Sequence, residues 1–373
     1  MKELIEFRKD LHRHPEVSQN EKQTQNRIIQ FLKTLDISGE PIGGTGVMVK
    51  FDSGKNGKTV MLRSDHDALP IQEINDFEHK SIYEGVSHKC GHDGHTAIMC
   101  GVAHYFKHNP LKQGRLILIF QPAEENGEGA KAVLADGRFD FEPDYVFALH
   151  NLPGYPLHQA VIKEGSFTAA AKSIIVKLDG KTSHAAEPEL GINPALAIAE
   201  IINMFEQESK PELNDDGFAL ATPVFLHMGE KSYGVSAGHG EVHYTLRTWS
   251  SEVMDAFSKR ITDQVERISQ KHGLRSTINW TEAFEANKNS PEAVRFIKEA
   301  ISQSRFDFTV RERPFKWGED FGLFTQRYPG AMFGIGSGVD CPALHNPDYD
   351  FPDEIIPTAV KMFTTIVENA INE

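Results

Sequence analysis

The stretch HKCGHDGH, His88 to His95, sets one thiol, three imidazoles and one carboxylate in eight positions. Thiolate and imidazole both ligate divalent transition ions. A redox cysteine, a structural zinc clip and part of a catalytic metal centre all fit such a cluster. A structural zinc site closes with four ligands from paired short spacings, and the chain has no CxxC. A redox cysteine wants a resolving partner, but Cys100 falls on an apolar helical stretch and reads as core. The plainest reading of the cluster is a polar helix start, with Asp93 as its capping residue. The stretch alone does not decide among these.

Partners for it would have to come from elsewhere in the chain, and four segments offer them. PAEENGEG follows the apolar run LILIF and carries Glu124 and Glu125 side by side. Neighbours on extended chain point to opposite sides. One carboxylate can therefore bind metal while the other faces a water as general base, the division that metal-assisted hydrolysis needs. ALHN supplies His150 and LHNPDYDF supplies His345. SDHDALP supplies Asp65 and Asp67, either of which can be a ligand or an acceptor that orients an imidazole N–H. Each segment is unremarkable alone as surface charge or a satisfied histidine. Together they give a thiol, imidazoles and paired carboxylates, a set that suits Zn²⁺, Mn²⁺, Co²⁺ or Ni²⁺ and not Mg²⁺ or Ca²⁺. The number of donors is too large for one catalytic ion and fits two ions roughly 3.5–4 Å apart.

The positioning elements are legible as a pattern. Residues 3–13 and 20–35 carry apolar residues at helical spacing. GVMVKFD, a Gly-Lys-Asn-Gly turn and TVMLRSD read as strand, turn, strand. Further apolar strands are predicted at 115–121, 145–151 and 331–336, with helices near 94–107 and 128–135. Apolar strands alternate with helices, and titratable residues stand at the strand ends. This argues for an α/β fold with a mostly parallel central sheet, whose ligands bind beyond the carboxyl ends of the strands. Residues 165–286 read instead as β-α-β-β-α-β, the ferredoxin-like α+β order. The predicted organisation is a catalytic domain in two parts, 1–164 and 287–373, with 165–286 inserted.

Composition narrows the class further. The chain has 373 residues and a net charge of −14, a poor match for nucleic acid or an anionic membrane surface. No run of 18 apolar residues occurs that would span a bilayer. The start MKELIEFRKDLHRHPEVS lacks a signal peptide's apolar core. Three scattered cysteines give no disulfide framework, and the expectation is a reducing, cytoplasmic setting.

DLHRHPEVS, GTGV, RSDHDALPI, HKCGHDGHTA, FQPAEE, ALHNLP, HAAEPELGINP, GEDF and LHNPDYDF occur in this order between residues 5 and 352. They resemble the ordered motifs of M20-type metallo-amidohydrolases, in the subgroup of N-acyl-amino-acid, hippurate and indoleacetyl-amino-acid hydrolases. The resemblance implies a zinc-peptidase-like α/β catalytic domain with an inserted lid or dimerisation domain, and a homodimer through that domain. It implies two metal ions held by Cys90, His92, Glu125, His150 and His345, with Cys90 as the bridging ligand. It implies Glu124 as the general base, Asp67 as the aspartate orienting a ligand, and a small N-acyl amino acid as substrate. His184, in KTSHAAEPELG, matches a histidine that helps polarise the scissile carbonyl, and Arg247 is a candidate for the substrate carboxylate. One position departs from the pattern: counting back from Leu246-Arg247-Thr248, Gly234 stands where relatives often carry an asparagine on the substrate side. A dipeptidase or aminopeptidase with the same centre is the alternative within hydrolysis. A non-catalytic metal-binding or thiol-redox protein is the alternative outside it.

Overall fold

The computed structural model describes residues 1–212 and 217–373. The chain divides into two compact units. The first comprises Met1–Phe167, Asn287–Glu312 and Glu319–Glu373, and the second Thr168–Ala286 with Arg313–Gly318.

In chain order the strands begin with β1 (Glu40–Ile42), β2 (Gly46–Asp52), β3 (Thr59–Asp65), β4 (Arg115–Gln121), β5 (Tyr145–Leu152), β6 (Ala160–Ile162) and β7 (Gly165–Thr168). There follow β8 (Ala170–Asp179), β9 (Ser183–His184), β10 (Ala219–Met228), β11 (Val235–Ser236), β12 (His239–Thr248) and β13 (Arg275–Phe284). The last are β14 (Asn287–Asn289), β15 (Phe308–Val310) and β16 (Gly330–Gly336).

The first unit is built on an eight-stranded sheet in the order β1-β2-β4-β3-β5-β16-β6-β15. β4, β3, β5 and β16 run parallel at its centre. Every residue of β3, β5 and β16 is buried. That is why VML of β3, YVFAL of β5 and AMFGIG of β16 are apolar without alternation: a central parallel strand is covered on both faces. The helices Lys2–Arg13, His92–His108 and Ile356–Ile371 pack together over the sheet. Cys100 sits among them, fully buried in the main apolar cluster.

GVMVKFD and TVMLRSD are strands, but they are not neighbours. β4 lies between them, antiparallel to β2 and parallel to β3, with Met48 opposite Ile119 and Leu62 opposite Leu118. LILIF is apolar on both faces and takes the interior position, while β2, whose last three residues are only partly buried or exposed, moves outward.

The second unit is a four-stranded antiparallel sheet in the order β10-β12-β8-β13. The helices Ala195–Glu208 and Ser251–Lys271 bury their apolar stripes with Ile174, Val176, Tyr244 and Leu246 of that sheet. Among the described residues no helix is long and apolar enough to cross a membrane.

Candidate metal centre

β3, β4, β5 and the loop after β16 each deliver polar side chains to one place in the first unit. β3 ends at Asp65 and leads to Asp67, β4 leads to Glu124 and Glu125, and β5 carries His150 and Asn151. The loop after β16 carries His345, and the turn before the helix His92–His108 carries Cys90. Two glycines, Gly91 in that turn and Gly94 in the first turn of the helix, have reasons to be there. Gly91 sits at φ +97°, and a Cβ on Gly94 would lie 2.4 Å from ring carbons of Phe351.

Two triads of possible ligand atoms form, each within 4.8 Å: Cys90 with His92 and His150, and Cys90 with Glu125 and His345. Cys90 is common to both. Its Sγ lies 3.6 Å from His150 Nε2. Glu125 Oε1 lies 3.6 Å from His345 Nε2 and 3.9 Å from His92 Nε2. Four of these five residues have buried or nearly buried side chains; His345 is half-exposed.

The imidazoles are turned so that a lone pair is available. His150 Nδ1 donates to Asn151 O at 2.8 Å, so its Nε2 lone pair faces Cys90. Burial, then the charge of His95, holds this ring well below 6.5 and therefore neutral. His92 Nδ1 donates to both Asp67 Oδ1 and the Asp67 carbonyl at 3.1 Å. A carboxylate behind the ligand histidine is the usual way to fix ring orientation. Asp67 is itself fixed by Ser18 Oγ at 2.7 Å and Glu125 N at 3.0 Å.

The residues fit divalent ions on two counts. His92 Nε2 and Glu125 Oε1 are buried and have no hydrogen-bond partner among the described residues. Such orphans carry a desolvation cost that a ligand would remove. The centre also gathers negative groups that oppose one another. Burial, then Glu125 and Glu124, pushes the Cys90 thiol well up, and burial, then Glu319 and Glu125, pushes the Glu124 carboxyl well up. On His92 burial opposes the charge, but Asp65 and Asp67 outweigh it and raise the ring to about 10. A proton there takes the place a cation would hold.

Several residues land differently from their sequence reading. Asp93 is not at the cap position, which Gly91 occupies. Asp93 lies in the first turn, where its Oδ2 pairs with His12 Nδ1 at 2.8 Å and Arg8 at 3.5 Å. Its other oxygen, Oδ1, accepts a first-turn amide, Gly94 N at 3.0 Å, so the one carboxylate serves both the helix start and the two buried cations. His95 bonds Asp65 Oδ1 and Asn151 Oδ1, both at 2.6 Å. His88 stays outside both triads, and burial lowers it to about 4.

Glu319 and Asp320 of the GEDF motif form a buried group with Arg63, which reaches them at 2.8 and 2.6 Å. They also stand beside Glu124, the three acids offering oxygens within 4.8 Å of one another. Arg63, Glu73, Lys89 and His12 escaped the sequence reading. The signal for His12 was present in DLHRHPE, but nothing in its spacing names a partner.

His184 and Arg247 lie in the second unit. His184 is exposed on β9, with Nδ1 accepting from Ala186 N at 3.0 Å. Arg247, on β12, donates to Lys316 O at 2.8 Å and has no carboxylate partner among the described residues. Gly234 leaves open space where a Cβ would be, and its carbonyl accepts from Ala185 N.

The model of peptidase family M20/M25/M40 matches residues 61–369. The chain belongs to this family. An M20 chain with these ligand-type residues has curated relatives across its full length. It is 30% identical to the N-acetyldiaminopimelate deacetylase of Bacillus pumilus (strain SAFR-032), covering 100% of this chain and 99% of that one. It is 31% identical to the N-acetyl-L-cysteine deacetylase of Bacillus subtilis (strain 168), covering 95% and 85%. Among solved structures it resembles a dinuclear metal-binding peptidase of the M20 family from Bacillus subtilis. The TM-score is 0.86 at 26% identity, over 100% of this chain and 98% of that one.

Proposed function

We propose that this M20 protein is a binuclear metal-dependent amidohydrolase that cleaves the amide bond of N-acyl amino acids. The observation that carries the reading is the pair of triads meeting at Cys90, two of whose buried atoms, His92 Nε2 and Glu125 Oε1, have no hydrogen-bond partner among the described residues. Cys90, His92 and His150 would hold one ion, and Cys90, Glu125 and His345 would hold the other. The metal is one of Zn²⁺, Mn²⁺, Co²⁺ or Ni²⁺. What two such ions supply when bound is polarisation of the scissile carbonyl and a water of lowered pKa.

The chain's own residues do the rest. Asp67 and the Asn151 carbonyl hold the two histidines by their Nδ1 atoms, which leaves each Nε2 for the ion. Glu124 accepts no hydrogen bond from any described residue, so its carboxylate is free to take a proton from the attacking water. It then delivers that proton to the leaving amine. Support for His184 as carbonyl polariser comes from its tautomer: Nδ1 accepts an amide N–H, so Nε2 carries the donor hydrogen. Support for Arg247 as the carboxylate-binding residue comes from its guanidinium, which donates to one backbone carbonyl, Lys316 O, and has no carboxylate partner among the described residues.

Acetyl is the acyl group favoured by the relatives named as N-acetyldiaminopimelate and N-acetylcysteine deacetylases. The test is a panel of N-acetyl-diaminopimelate, N-acetyl-cysteine, other N-acetyl and N-benzoyl amino acids, and unblocked dipeptides. Turnover of the N-acyl compounds is expected, abolished by chelator and restored by added divalent ion. Faster release from the dipeptides would replace this reading with a peptidase, and chelator-insensitive turnover would remove the metal from it.

The second unit is the ferredoxin-like insertion that serves as lid and dimerisation domain. Its sheet ends at β10, an edge strand bridged by Lys210 at Ala219 and, among the described residues, with no strand beyond it; there Val224, Leu226 and Met228 are 64%, 55% and 42% exposed. Leu196, 72% exposed, opens the helix Ala195–Glu208 that packs on the same strand. A long apolar edge of this kind pairs readily with a second chain. Light scattering should give twice the 41.7 kDa chain mass, and Leu226→Lys should return it to one. A monomeric wild-type protein overturns the dimer.

A further inference from the structure

Cys90 and His345 both stand on irregular segments, one in the turn before the helix His92–His108 and the other in the loop after β16. Loops do not hold ligand atoms in register without help. Lys89, next to Cys90, has a side chain with no solvent exposure, which lysine adopts almost only when paired. Its Nζ donates to Glu73 Oε1 at 2.5 Å and to Tyr349 O at 2.7 Å. Its own carbonyl accepts from His345 N at 2.7 Å. One residue thus grips the second loop at two points, the amide of residue 345 and the carbonyl of residue 349, while its neighbour is the thiol shared by both triads.

The grip extends to the other ligand-type residues. Glu73 Oε1 also pairs with His12 Nε2 at 3.0 Å, and His12 Nδ1 with Asp93, the residue after His92. The Tyr349 hydroxyl accepts from Asn151 Nδ2 at 2.6 Å, and the Asn151 carbonyl holds His150. His345 itself lies at φ +67°, the left-handed region. A non-glycine residue persists there only where its surroundings over-determine it, and the Lys89 carbonyl on its amide is one such restraint.

We propose that Lys89 is a positioning residue: a buried ammonium clamp that locks the His345 loop against Cys90 and so sets the Cys90–Glu125–His345 triad. It touches neither substrate nor ligand atom and acts through the backbone of the loop it grips. The Cys90–His92–His150 triad has its own supports in Asp67 and the Asn151 carbonyl, so loss of the clamp falls unequally on the two ions. The proposal rests on the ligand assignments made above.

The test uses chelator-stripped full chain titrated with Mn²⁺ alone by calorimetry, with amide hydrogen exchange on the metal-free protein. Wild type binds two Mn²⁺. Lys89→Met is expected to leave one affinity within about threefold of wild type and to weaken the other by about 10–100-fold, the usual effect of losing a residue behind a ligand. The amide of His345 exchanges faster in the same variant. Glu73→Gln, which keeps the volume and removes the counter-charge, moves the same affinity in the same direction and carries the test if Lys89→Met does not fold. A merely structural lysine would lower the melting temperature and leave both affinities of the folded protein alone. That result overturns the clamp, as does an equal loss of both ions with unchanged exchange at His345. His345→Ala separates the two readings: it should lose one ion outright. If it retains both at wild-type affinity, the ligand assignment falls and the clamp with it; if it loses one and Lys89→Met does not weaken it, the clamp alone falls.

Discussion

Glu124→Gln is expected to lower kcat on an N-acetyl amino acid by about 10²–10⁴-fold while the protein still takes up two divalent ions. The two adjacent glutamates are told apart by their surroundings. Both carboxylates come within 3.9 Å of His92 Nε2. Only Glu125 also reaches His345 and Cys90, and only Glu125 has a buried oxygen without a partner. Glu124 faces the acids of the GEDF motif instead, and accepts no hydrogen bond among the described residues that would tie it to one orientation. A group that must collect a proton at one atom and deliver it at another needs that freedom. Burial and the charges of Glu319 and Glu125 push its carboxyl well above the usual range in the metal-free chain. Bound cations oppose that shift and favour the ionised form. Glutamine keeps the shape, cannot carry the proton, and removes no atom that either triad needs. The companion Glu125→Gln should instead lose an ion. Elemental analysis with steady-state kinetics on both variants checks the division. Full activity in Glu124→Gln, or equal metal loss in the two, would end the assignment of Glu124 as base.

How much of this was legible in the chain depends on the range of the interaction. Strand ends were legible, because apolar runs such as LILIF and YVFAL stop at acids and histidines, and that boundary is local. The ligand-type residues could be named one motif at a time, and the fold brings the five of them together. Sheet order was not legible. Gly54 and Gly57 announce a turn between β2 and β3, but which strand fills the interior is decided by burial on both faces, a property of the assembled sheet. The charged scaffold behind the centre was invisible for the same reason. Arg63 pairs with Asp320 across 257 positions, and Lys89 grips Tyr349 across 260. A lysine beside a cysteine, or an arginine inside TVMLRSD, looks like an ordinary solvated charge until the chain is folded around it. Asp93 was legible only in part: it stands one turn position inside the cap and accepts the Gly94 amide through Oδ1, a local contact, while His12 and Arg8, which take its Oδ2, come from far along the chain.

Arg63→Met is expected to cost about 3–5 kcal/mol of stability, the scale on which breaking a buried ion pair by removing one partner acts. Arg63 is completely buried on β3. It donates through Nε to Gln121 Oε1 at 3.0 Å, through one terminal nitrogen to Asp65 at 2.5 Å, and through the other to Glu319 and Asp320 at 2.8 and 2.6 Å. Methionine matches much of the stem and none of the charge, so three carboxylates lose their shared cation without a large cavity. The cost should depend on pH in a definite sense. Burial already raises Asp320 to about 7 against the pull of Arg63, and burial raises Glu319 as well. A carboxyl whose folded pKa is raised binds more protons folded than unfolded, so its burial penalty is absent at low pH and grows as pH rises from about 4. Removing Arg63 lifts those folded values further and carries the penalty to higher pH. The stability gap between wild type and Arg63→Met should therefore be widest near pH 8 and narrow toward pH 5. Denaturant melts of the metal-free proteins across that range measure it. A gap that stayed constant, or widened on acidification, would mean that these acids are held by something other than the arginine. Arg63→Lys distinguishes charge from geometry: it restores the cation but not the fork that reaches Asp65 and the GEDF acids at once. Partial recovery of stability, with the pH trend flattened, is the result expected of a site where one planar cation holds Asp65, behind His95, together with the acids beside Glu124.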